Sequence, residues 1–193
     1  MRGVSDYWTQ KAKKEGYPAR SVYKLREINE KFSVLPRKGT VLDLGASPGS
    51  WTRFILRGGH CAVVAADLEP LAIEPHENLS FYKGDFTHEE TLALIRAKGP
   101  YNALVSDAAP ATTGNRTVDS SRSEALARHV LEISRRMLIA DGACVIKIFQ
   151  GDEQRRIMEE MKGIFALVKA FKPRATRSES FETYLVGLHK KHI

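Results

Sequence analysis

A glycine loop at residues 45–49 is the part of the sequence best suited to holding a small ligand. It follows an apolar run typical of a buried strand and leads into a predicted helix. Such a loop lets a ligand approach bare backbone, because a side chain at Gly45 or Gly49 would fill the ligand's space. The loop lacks the Gly-x-Gly-x-x-Gly spacing of dinucleotide sites and the Gly-Lys-Ser/Thr ending of nucleoside triphosphate sites. We therefore expect a nucleoside that carries an amino-acid tail.

Three aspartates that stand near the ends of successive predicted strands extend this site. Asp43 lies just before the loop, Asp67 ends the second predicted strand, and Asp85 follows the third. Ligands of open parallel sheets bind beyond the carboxyl ends of the strands, where Asp67 could accept ribose hydroxyls and Asp85 an adenine amino group. An aspartate after a strand often only caps a turn, so each residue is weak evidence alone. Together with the loop they predict S-adenosylmethionine, the commonest nucleoside cofactor with an amino-acid tail.

Lys147 is the strongest anomaly, because it lies inside the apolar run 143–149, which predicts a central strand. Burying an unpaired ammonium is costly, and the side chain could reach solvent only from a strand at the sheet edge. Asp107, which follows the neighbouring predicted strand, is the obvious electrostatic partner. A lysine buried near other charges is a candidate for acid–base chemistry. Lys24 lies at the apolar edge of a helix predicted to start near Pro18, and it is the basic residue there best placed to point inward.

Apolar runs that alternate with helical patterns predict an α/β fold with a mostly parallel seven-stranded sheet, an antiparallel last strand and helices on both faces. The predicted strands cover residues 40–44, 61–67, 79–82, 103–106, 143–149, 167–171 and 183–188. The predicted helices between them cover residues 50–57, 88–98, 122–139 and 152–163. The last two strands have no helix between them and should pair antiparallel. Gly58-Gly59 predicts a left-handed stop after the helix at 50–57, and Gly142 predicts one before the fifth strand.

The two ends of the chain are basic, whereas the middle is slightly acidic. Residues 1–38 contain ten Lys or Arg and four Asp or Glu, and residues 169–193 contain six and two, in a chain of net charge +7. Two basic ends on a neutral-to-acidic core are typical of a protein that binds a polyanion. Ordinary solvated surface charge is the alternative, because the sequence alone does not show that the two ends meet.

Several classes of protein are not expected from this composition. No apolar run approaches the roughly 20 residues of a membrane span, and we see no secretory signal, so we expect a cytoplasmic protein that binds no membrane. Cys61 and Cys144 lie in apolar runs and are expected to be buried thiols. The six histidines show no metal-ligand spacing, so no metal site is expected. We also expect a monomer.

These motifs together resemble the FtsJ/RrmJ family of RNA ribose 2′-O-methyltransferases, and the likeness extends from about residue 11 to residue 188. The strings that carry it are SVYKL at 21–25, DLGASPGSW at 43–51, SDAAP at 106–110, VIKIFQG at 145–151 and ETYLV at 182–186. The last four stand in the family's order and spacing. The resemblance implies a Rossmann-like class I S-adenosylmethionine-dependent methyltransferase fold. It also implies a Lys-Asp-Lys-Glu active site at Lys24, Asp107, Lys147 and Glu182.

The loop, the strand ends and the resemblance together give the site residues that we expect. The cofactor would contact Asp43, Gly45, Ser47, Pro48, Gly49, Trp51, Asp67, Leu68, Asp85, Phe86 and Asp107. RNA would contact Lys11, Lys13, Lys14, Arg20, Arg174 and Arg177, with 1–38 as a basic RNA-binding extension of one methyltransferase domain, 1–193. The chain departs from the family at Ala108 and Ala111, where Asp-Met-Ala-Pro-Asn is common. Glu179 lies close to Glu182, which we prefer because it directly precedes the last strand.

The expected reaction is methylation of a uridine ribose in large-subunit (23S) ribosomal RNA. Lys147 would act at the 2′-oxygen, as a base if neutral or as a charge stabiliser if protonated, and Lys24 would disfavour a second ammonium nearby. Asp107 and Glu182 would orient both lysines. The alternatives are a transfer RNA 2′-O-methyltransferase, a non-catalytic RNA-binding assembly factor and a small-molecule O-methyltransferase. Base methylation fits less well, because no aromatic residue follows Asp107 closely and Cys144 should face away from Lys147.

Overall fold

A seven-stranded sheet organises the part of the chain that the computed structural model describes, residues 7–111 and 113–192. Its strands are β1 (Gly39–Leu44), β2 (Cys61–Asp67), β3 (Leu79–Lys83), β4 (Tyr101–Ser106), β5 (Leu138–Phe149), β6 (Phe165–Phe171) and β7 (Glu182–Lys190). Their order in space is β3-β2-β1-β4-β5-β7-β6. The pairs among β1 to β5 are parallel, and β7 is antiparallel to both β5 and β6. The predicted mostly parallel sheet with an antiparallel last strand is confirmed.

Helices cover both faces of this sheet. The described residues form α1 (Tyr7–Lys14), α2 (Val22–Phe32), α3 (Ser50–Arg57), α4 (Glu89–Arg96), α5 (Arg116–Met137) and α6 (Asp152–Ile164). None of these helices is both long enough and apolar enough to cross a membrane. The prediction that α2 starts near Pro18 is wrong, and α1 was not predicted. The Ala19 N–H donates to Ser50 Oγ at 2.8 Å, and this hydroxyl donates to the Ala19 carbonyl at 3.1 Å, so the chain turns here before helix α2 begins.

Caps and left-handed residues set the other element ends. Helix α5 begins earlier than predicted, because the Asn115 side chain accepts hydrogen bonds from two backbone N–H groups of the first turn. Gly59 has a φ of +75°, which confirms the predicted stop after α3. The stop predicted at Gly142 is wrong, since Asp141 is the left-handed residue, with a φ of 64°. Gly142 itself lies inside β5.

The two faces of the sheet pack into separate apolar clusters. Cys144 and Ile146 belong to the cluster that contains residues of α5 and α6. Val105 and Val145 belong to the cluster that contains residues of α2 and α3. Side chains alternate along a strand, so Lys147 points to the same face as Val145. This confirms that Cys144 faces away from Lys147, and it places α2 on the lysine's side of the sheet.

Candidate active site

Two ion pairs with little solvent exposure lie together at the carboxyl ends of β4 and β5. Lys147 Nζ is 3.1 Å from Asp107 Oδ1, and it also donates to the Asp107 backbone carbonyl. Lys24 Nζ pairs with Glu182 Oε1. The Tyr184 hydroxyl donates to Asp107 Oδ1 at 2.7 Å, and Lys24 Nζ lies 5.8 Å from the centre of the Tyr184 ring. The structure therefore brings the four predicted active-site residues into one cluster, which we call the tetrad.

Strand register explains how the tetrad forms. Lys147 in β5 stands directly opposite Tyr184 in β7, and Glu182 starts β7 opposite Phe149. Glu182 and Tyr184 are two residues apart in one strand, so they share a face. Asp107 directly follows β4, the parallel neighbour of β5. The sequence reasoning missed Tyr184, although its spacing from Glu182 was the signal that could have found it.

The positive charges of the tetrad decide the ionisation of Asp107. Burial by itself raises the pKa of Asp107, but the charges of Lys147 and Lys24 and the hydrogen bonds from Tyr184 and Lys147 more than offset it. The net effect is a pKa of Asp107 below its usual value, so this carboxyl is ionised at neutral pH. Burial, followed by the negative charges of Asp107 and Glu182, raises the pKa of Tyr184 well above its ordinary value. Tyr184 thus remains a neutral hydrogen-bond donor.

A cavity of about 760 Å³ opens beside Asp107 at the same edge of the sheet. Seven of the residues predicted to contact a cofactor line it, namely Gly45, Ser47, Asp67, Leu68, Asp85, Phe86 and Asp107. Its volume lies in the range of small-molecule and cofactor sites. Asp107 belongs to both the cavity wall and the tetrad. A molecule in this cavity would therefore lie beside Asp107, the partner of Lys147.

The carboxylates of this cavity keep capacity for a ligand. Asp67 accepts from the backbone N–H of Ser47 and of Glu69, both at 2.9 Å, with a different oxygen for each. One oxygen of Asp85 accepts from the N–H and the hydroxyl of Thr87, at 2.8 and 2.7 Å. Burial raises the pKa of Asp85, yet the hydrogen bonds from Thr87 outweigh burial and the net pKa is lowered. Because a carboxylate has about four acceptor sites, both groups can also accept from ligand hydroxyl or amino groups.

Four residues predicted to contact a cofactor are not among those that line the cavity. Trp51 is buried, and its Nε1 donates to the Ser21 carbonyl at 2.8 Å. The Pro48 carbonyl accepts from the backbone of the 71–73 segment. Asp43 is fully buried under the loop, where Thr52 Oγ1 donates to its Oδ2 at 2.6 Å and its Oδ1 has no hydrogen-bond partner. Gly49, the fourth, belongs to the tight turn of the loop. These residues hold the loop in place.

The two glycines of the loop are required by the protein's own packing. A Cβ at Gly45 would lie 2.6 Å from the Ala108 backbone, and one at Gly49 would lie 2.9 Å from the side chain of Ile73. Both glycines have positive φ, of 72° and 105°, which other residues rarely adopt. At Gly49 a side chain would meet Ile73, so the protein's own packing already requires this glycine, and its contact with a ligand stays a prediction. Gly45 lines the cavity as well as contacting Ala108.

A second, basic cleft adjoins the tetrad. It has a volume of about 330 Å³ and is lined by Arg20, Lys24, Arg177, Glu179, Ser180 and Glu182. We call it the acceptor cleft. The two candidate glutamates differ within it, because Glu182 pairs with Lys24 whereas the exposed Glu179 accepts a hydrogen bond from Ser178. The tetrad therefore connects the acceptor cleft with the 760 Å³ cavity.

The two basic ends of the chain meet in space. Glu27 of α2 accepts from the backbone N–H of Arg174 and Ala175, at 2.9 and 3.0 Å, and Arg20 donates to the Ala175 carbonyl at 2.6 Å. Arg177 lies exposed in the same β6–β7 loop. The remaining predicted RNA-binding residues lie on α1, namely Lys11, Lys13 and Lys14. The two ends of the chain thus meet beside the acceptor cleft, which Arg20 and Arg177 line.

The aromatic residues of the N-terminal segment have unequal exposure. Tyr17 and Tyr23 are buried, so neither can stack on a ligand in this arrangement. Tyr7 is 67% exposed, and Lys11 Nζ lies 5.6 Å from the ring centre of Trp8.

Within residues 7–111 and 113–192, no group of three or more His, Cys, Asp or Glu could hold a metal ion.

Comparison with known proteins agrees with this geometry. The family model of FtsJ-like methyltransferases matches residues 17–190. The ribosomal RNA large subunit methyltransferase E of Treponema denticola is 47% identical, covering 96% of this chain and 95% of that protein. The protein of the same name from Methanothrix thermoacetophila is 45% identical, covering 96% of this chain and 73% of that protein. A crystal structure described as a ribosomal RNA methyltransferase from Plasmodium falciparum superposes with a TM-score of 0.77 at 25% identity, covering 90% of this chain and 98% of the other. The chain belongs to the FtsJ-like methyltransferase family.

Proposed function

We propose that the chain transfers a methyl group from S-adenosylmethionine to a ribose 2′-hydroxyl of RNA, at a uridine of large-subunit (23S) ribosomal RNA. The observation that carries this proposal is the tetrad, which connects a cofactor-sized cavity with a basic cleft. Relatives that are 47% and 45% identical are named ribosomal RNA large subunit methyltransferases, which favours ribosomal RNA over transfer RNA.

The residues of the larger cavity fit S-adenosylmethionine. Asp67 offers acceptors for ribose hydroxyls, and Asp85 offers one for the adenine amino group. Leu68 and Phe86 supply apolar surface for the flat base, and Gly45 brings the backbone of the loop to the cavity wall. When bound, the cofactor supplies a methyl group that is bonded to a sulfonium sulfur. Transfer of the methyl group releases a neutral thioether, which is a good leaving group.

The tetrad acts on the ribose hydroxyl that accepts the methyl group. A ribose hydroxyl is a poor nucleophile at neutral pH, so it must be aligned and helped to lose its proton. Lys147 contacts the 2′-oxygen, accepting the proton if neutral or stabilising the developing negative charge if protonated. Asp107 holds Lys147 in place, and Tyr184 fixes the Asp107 carboxylate. Lys24, held by Glu182, adds a second positive charge beside the reacting group.

We propose that basic residues from the two ends of the chain contact RNA phosphates. These residues are Lys11, Lys13, Lys14, Arg20, Arg174 and Arg177. Phosphate contacts position an RNA without reading its sequence, so these residues would set affinity and salt dependence rather than the choice of nucleotide. We propose that residues 1–38 supply many of these contacts, as a basic part of one methyltransferase domain, 1–193.

The test is to map the methyl group on natural RNA. Large ribosomal subunits and transfer RNA, both from cells that lack this methyltransferase, would be incubated with the protein and a deuterated methyl donor. We expect labelled 2′-O-methyluridine in the large-subunit RNA, identified by mass spectrometry of nucleosides and fragments. Label on a base, or label on transfer RNA alone, would contradict the proposal.

A binding measurement separates the enzyme from an assembly factor without catalysis. Equilibrium dialysis of the protein against S-adenosylmethionine should give saturable binding to one site. Asp67→Ala should weaken that binding, because it removes the ribose acceptor, while Asp152→Ala on the exposed start of α6 should leave it unchanged. No saturable binding to the wild-type protein would favour the non-catalytic alternative.

A further inference from the structure

A third cavity lies next to the tetrad and has no part in the reaction described so far. It has a volume of about 310 Å³ and lies where the start of α5, the end of β5 and the chain before β7 meet. Its walls include Arg116 and Ser120 of α5, Phe149 and Gln150 after β5, and Phe181. It shares Glu179 and Ser180 with the acceptor cleft. The two spaces are therefore adjacent.

An exposed aromatic ring and a guanidinium form one wall of this cavity. Phe181 is 50% exposed and lines the cavity. The Arg116 guanidinium lies 4.1 Å from the centre of the Phe181 ring. Aromatic rings and planar guanidinium groups are the two protein surfaces on which unpaired nucleobases stack. The pair is thus suited to a flat, electron-rich ligand.

The position of Phe181 is fixed relative to the tetrad. Its carbonyl accepts from the Gln150 backbone N–H at 2.8 Å, and the next residue, Glu182, pairs with Lys24. A ligand against Phe181 would therefore lie one residue along the chain from the tetrad. The other walls offer the Gln150 amide and the Ser120 and Ser180 hydroxyls, which can both donate and accept. Such groups suit the edge of a nucleobase.

We propose that this cavity holds an unstacked nucleobase of the RNA substrate, from the methylated nucleotide or its immediate neighbour, with Phe181 and Arg116 as the stacking surface. The inference rests on the proposed function, because it takes the ribose at the tetrad as its reference point. Arg20 and Arg177 in the acceptor cleft then contact the phosphates, which gives the two spaces complementary roles. The cavity thus selects RNA in which the bound base is unpaired and can leave the stack.

Steady-state kinetics test the stacking surface against a matched control. Phe181→Ala should lower kcat/KM for large ribosomal subunits by about tenfold, mostly through KM, since one base–aromatic stack has about that value. The affinity of Phe181→Ala for S-adenosylmethionine should stay within about twofold of the wild-type value. Phe181→Trp, which keeps an aromatic ring, should retain most of the wild-type kcat/KM. Leu94→Ala is the control, because Leu94 is also 50% exposed but lies on α4, outside the residues that line the cavity. Phe181→Ala kinetics equal to those of Leu94→Ala would overturn the inference.

A fluorescence titration tests the same contact without methyl transfer. The indole introduced by Phe181→Trp should be quenched by single-stranded hexauridylate or hexaadenylate beyond the quenching seen in the wild-type protein. Quenching no greater than wild type with either oligonucleotide would also overturn the inference. Quenching in a protein that transfers no methyl group to RNA would instead retain the base site and reject the proposed function.

Discussion

Asp43 lies in β1 and Asp107 directly follows the neighbouring strand β4, yet the pKa values of their carboxyl groups shift in opposite directions. Asp43 lies in β1 and is fully buried, and burial raises its pKa to about 7 despite the hydrogen bond from Thr52. Asp107 follows β4, which pairs with β1. Its pKa is lowered, because the charges of Lys147 and Lys24 outweigh the effect of burial.

The difference shows that partners rather than place in the sheet decide the ionisation of these acids. Asp43 has a neutral hydroxyl donor on one oxygen and no hydrogen-bond partner on the other. Asp107 has an ammonium and a phenol on Oδ1. A buried carboxylate is stable only when opposite charge compensates for lost hydration. The comparison therefore separates a carboxyl that supports the loop from one that is placed to act in the proposed reaction.

The largest effect on the rate of methyl transfer is expected from replacing the ionised Asp107 with a neutral side chain. Asp107→Asn should lower the rate of methyl transfer by about a thousandfold, because Lys147 loses the charge that positions it and its ammonium group is left without a counter-charge. Single-turnover methylation of large ribosomal subunits measures this loss. Asp152→Asn is the control, since Asp152 belongs to an exposed ion pair on α6. A loss smaller than about tenfold would show that the two acids do not differ in this way.

Asp43→Asn tests the other half of the comparison through stability. A carboxyl whose pKa rises from 3.8 when unfolded to about 7 when folded contributes stability at low pH, and this contribution is lost as pH rises through about 7. The wild-type protein should therefore lose up to roughly 1.4 kcal/mol per pH unit relative to Asp43→Asn between pH 5 and pH 7. Urea unfolding of both proteins at pH 5, 6 and 7 gives the difference. A difference that does not change with pH would contradict the shift.

A smaller effect is expected from the second ion pair of the tetrad. Glu182→Gln should lower the transfer rate by about tenfold, because Lys24 loses its counter-charge but Lys147 keeps Asp107. Glu179→Gln should leave the rate within about twofold, since Glu179 contacts Ser178 rather than a lysine. Equal losses in the two variants would show that the Lys24 pair has no special role.

Much of this arrangement is encoded locally and could be predicted. Short apolar runs gave all seven strands to within a few residues, except that β5 starts earlier, at Leu138. The lysine in an apolar strand predicted its own partner, because Asp107 follows the next strand over. The glycine loop and the aspartates near the strand ends predicted the residues around the larger cavity.

The remainder depends on contacts between distant parts of the chain. The start of α2 is set by Ala19 and Ser50, which are 31 residues apart. The space beside Gly49 is taken by Ile73, which no local pattern could reveal. Tyr184 joins the tetrad through the register of β7 on β5, and that register follows from pairing across the sheet.

Lys147→Ala measures the central claim most directly, at saturating S-adenosylmethionine and large ribosomal subunits in a single turnover. The predicted result is a transfer rate below about 1% of wild type, consistent with loss of the group at the 2′-oxygen, with cofactor affinity within about twofold. Lys169→Ala, an exposed lysine on β6, should retain the wild-type rate. Transfer by Lys147→Ala at more than a few per cent of the wild-type rate would contradict the account.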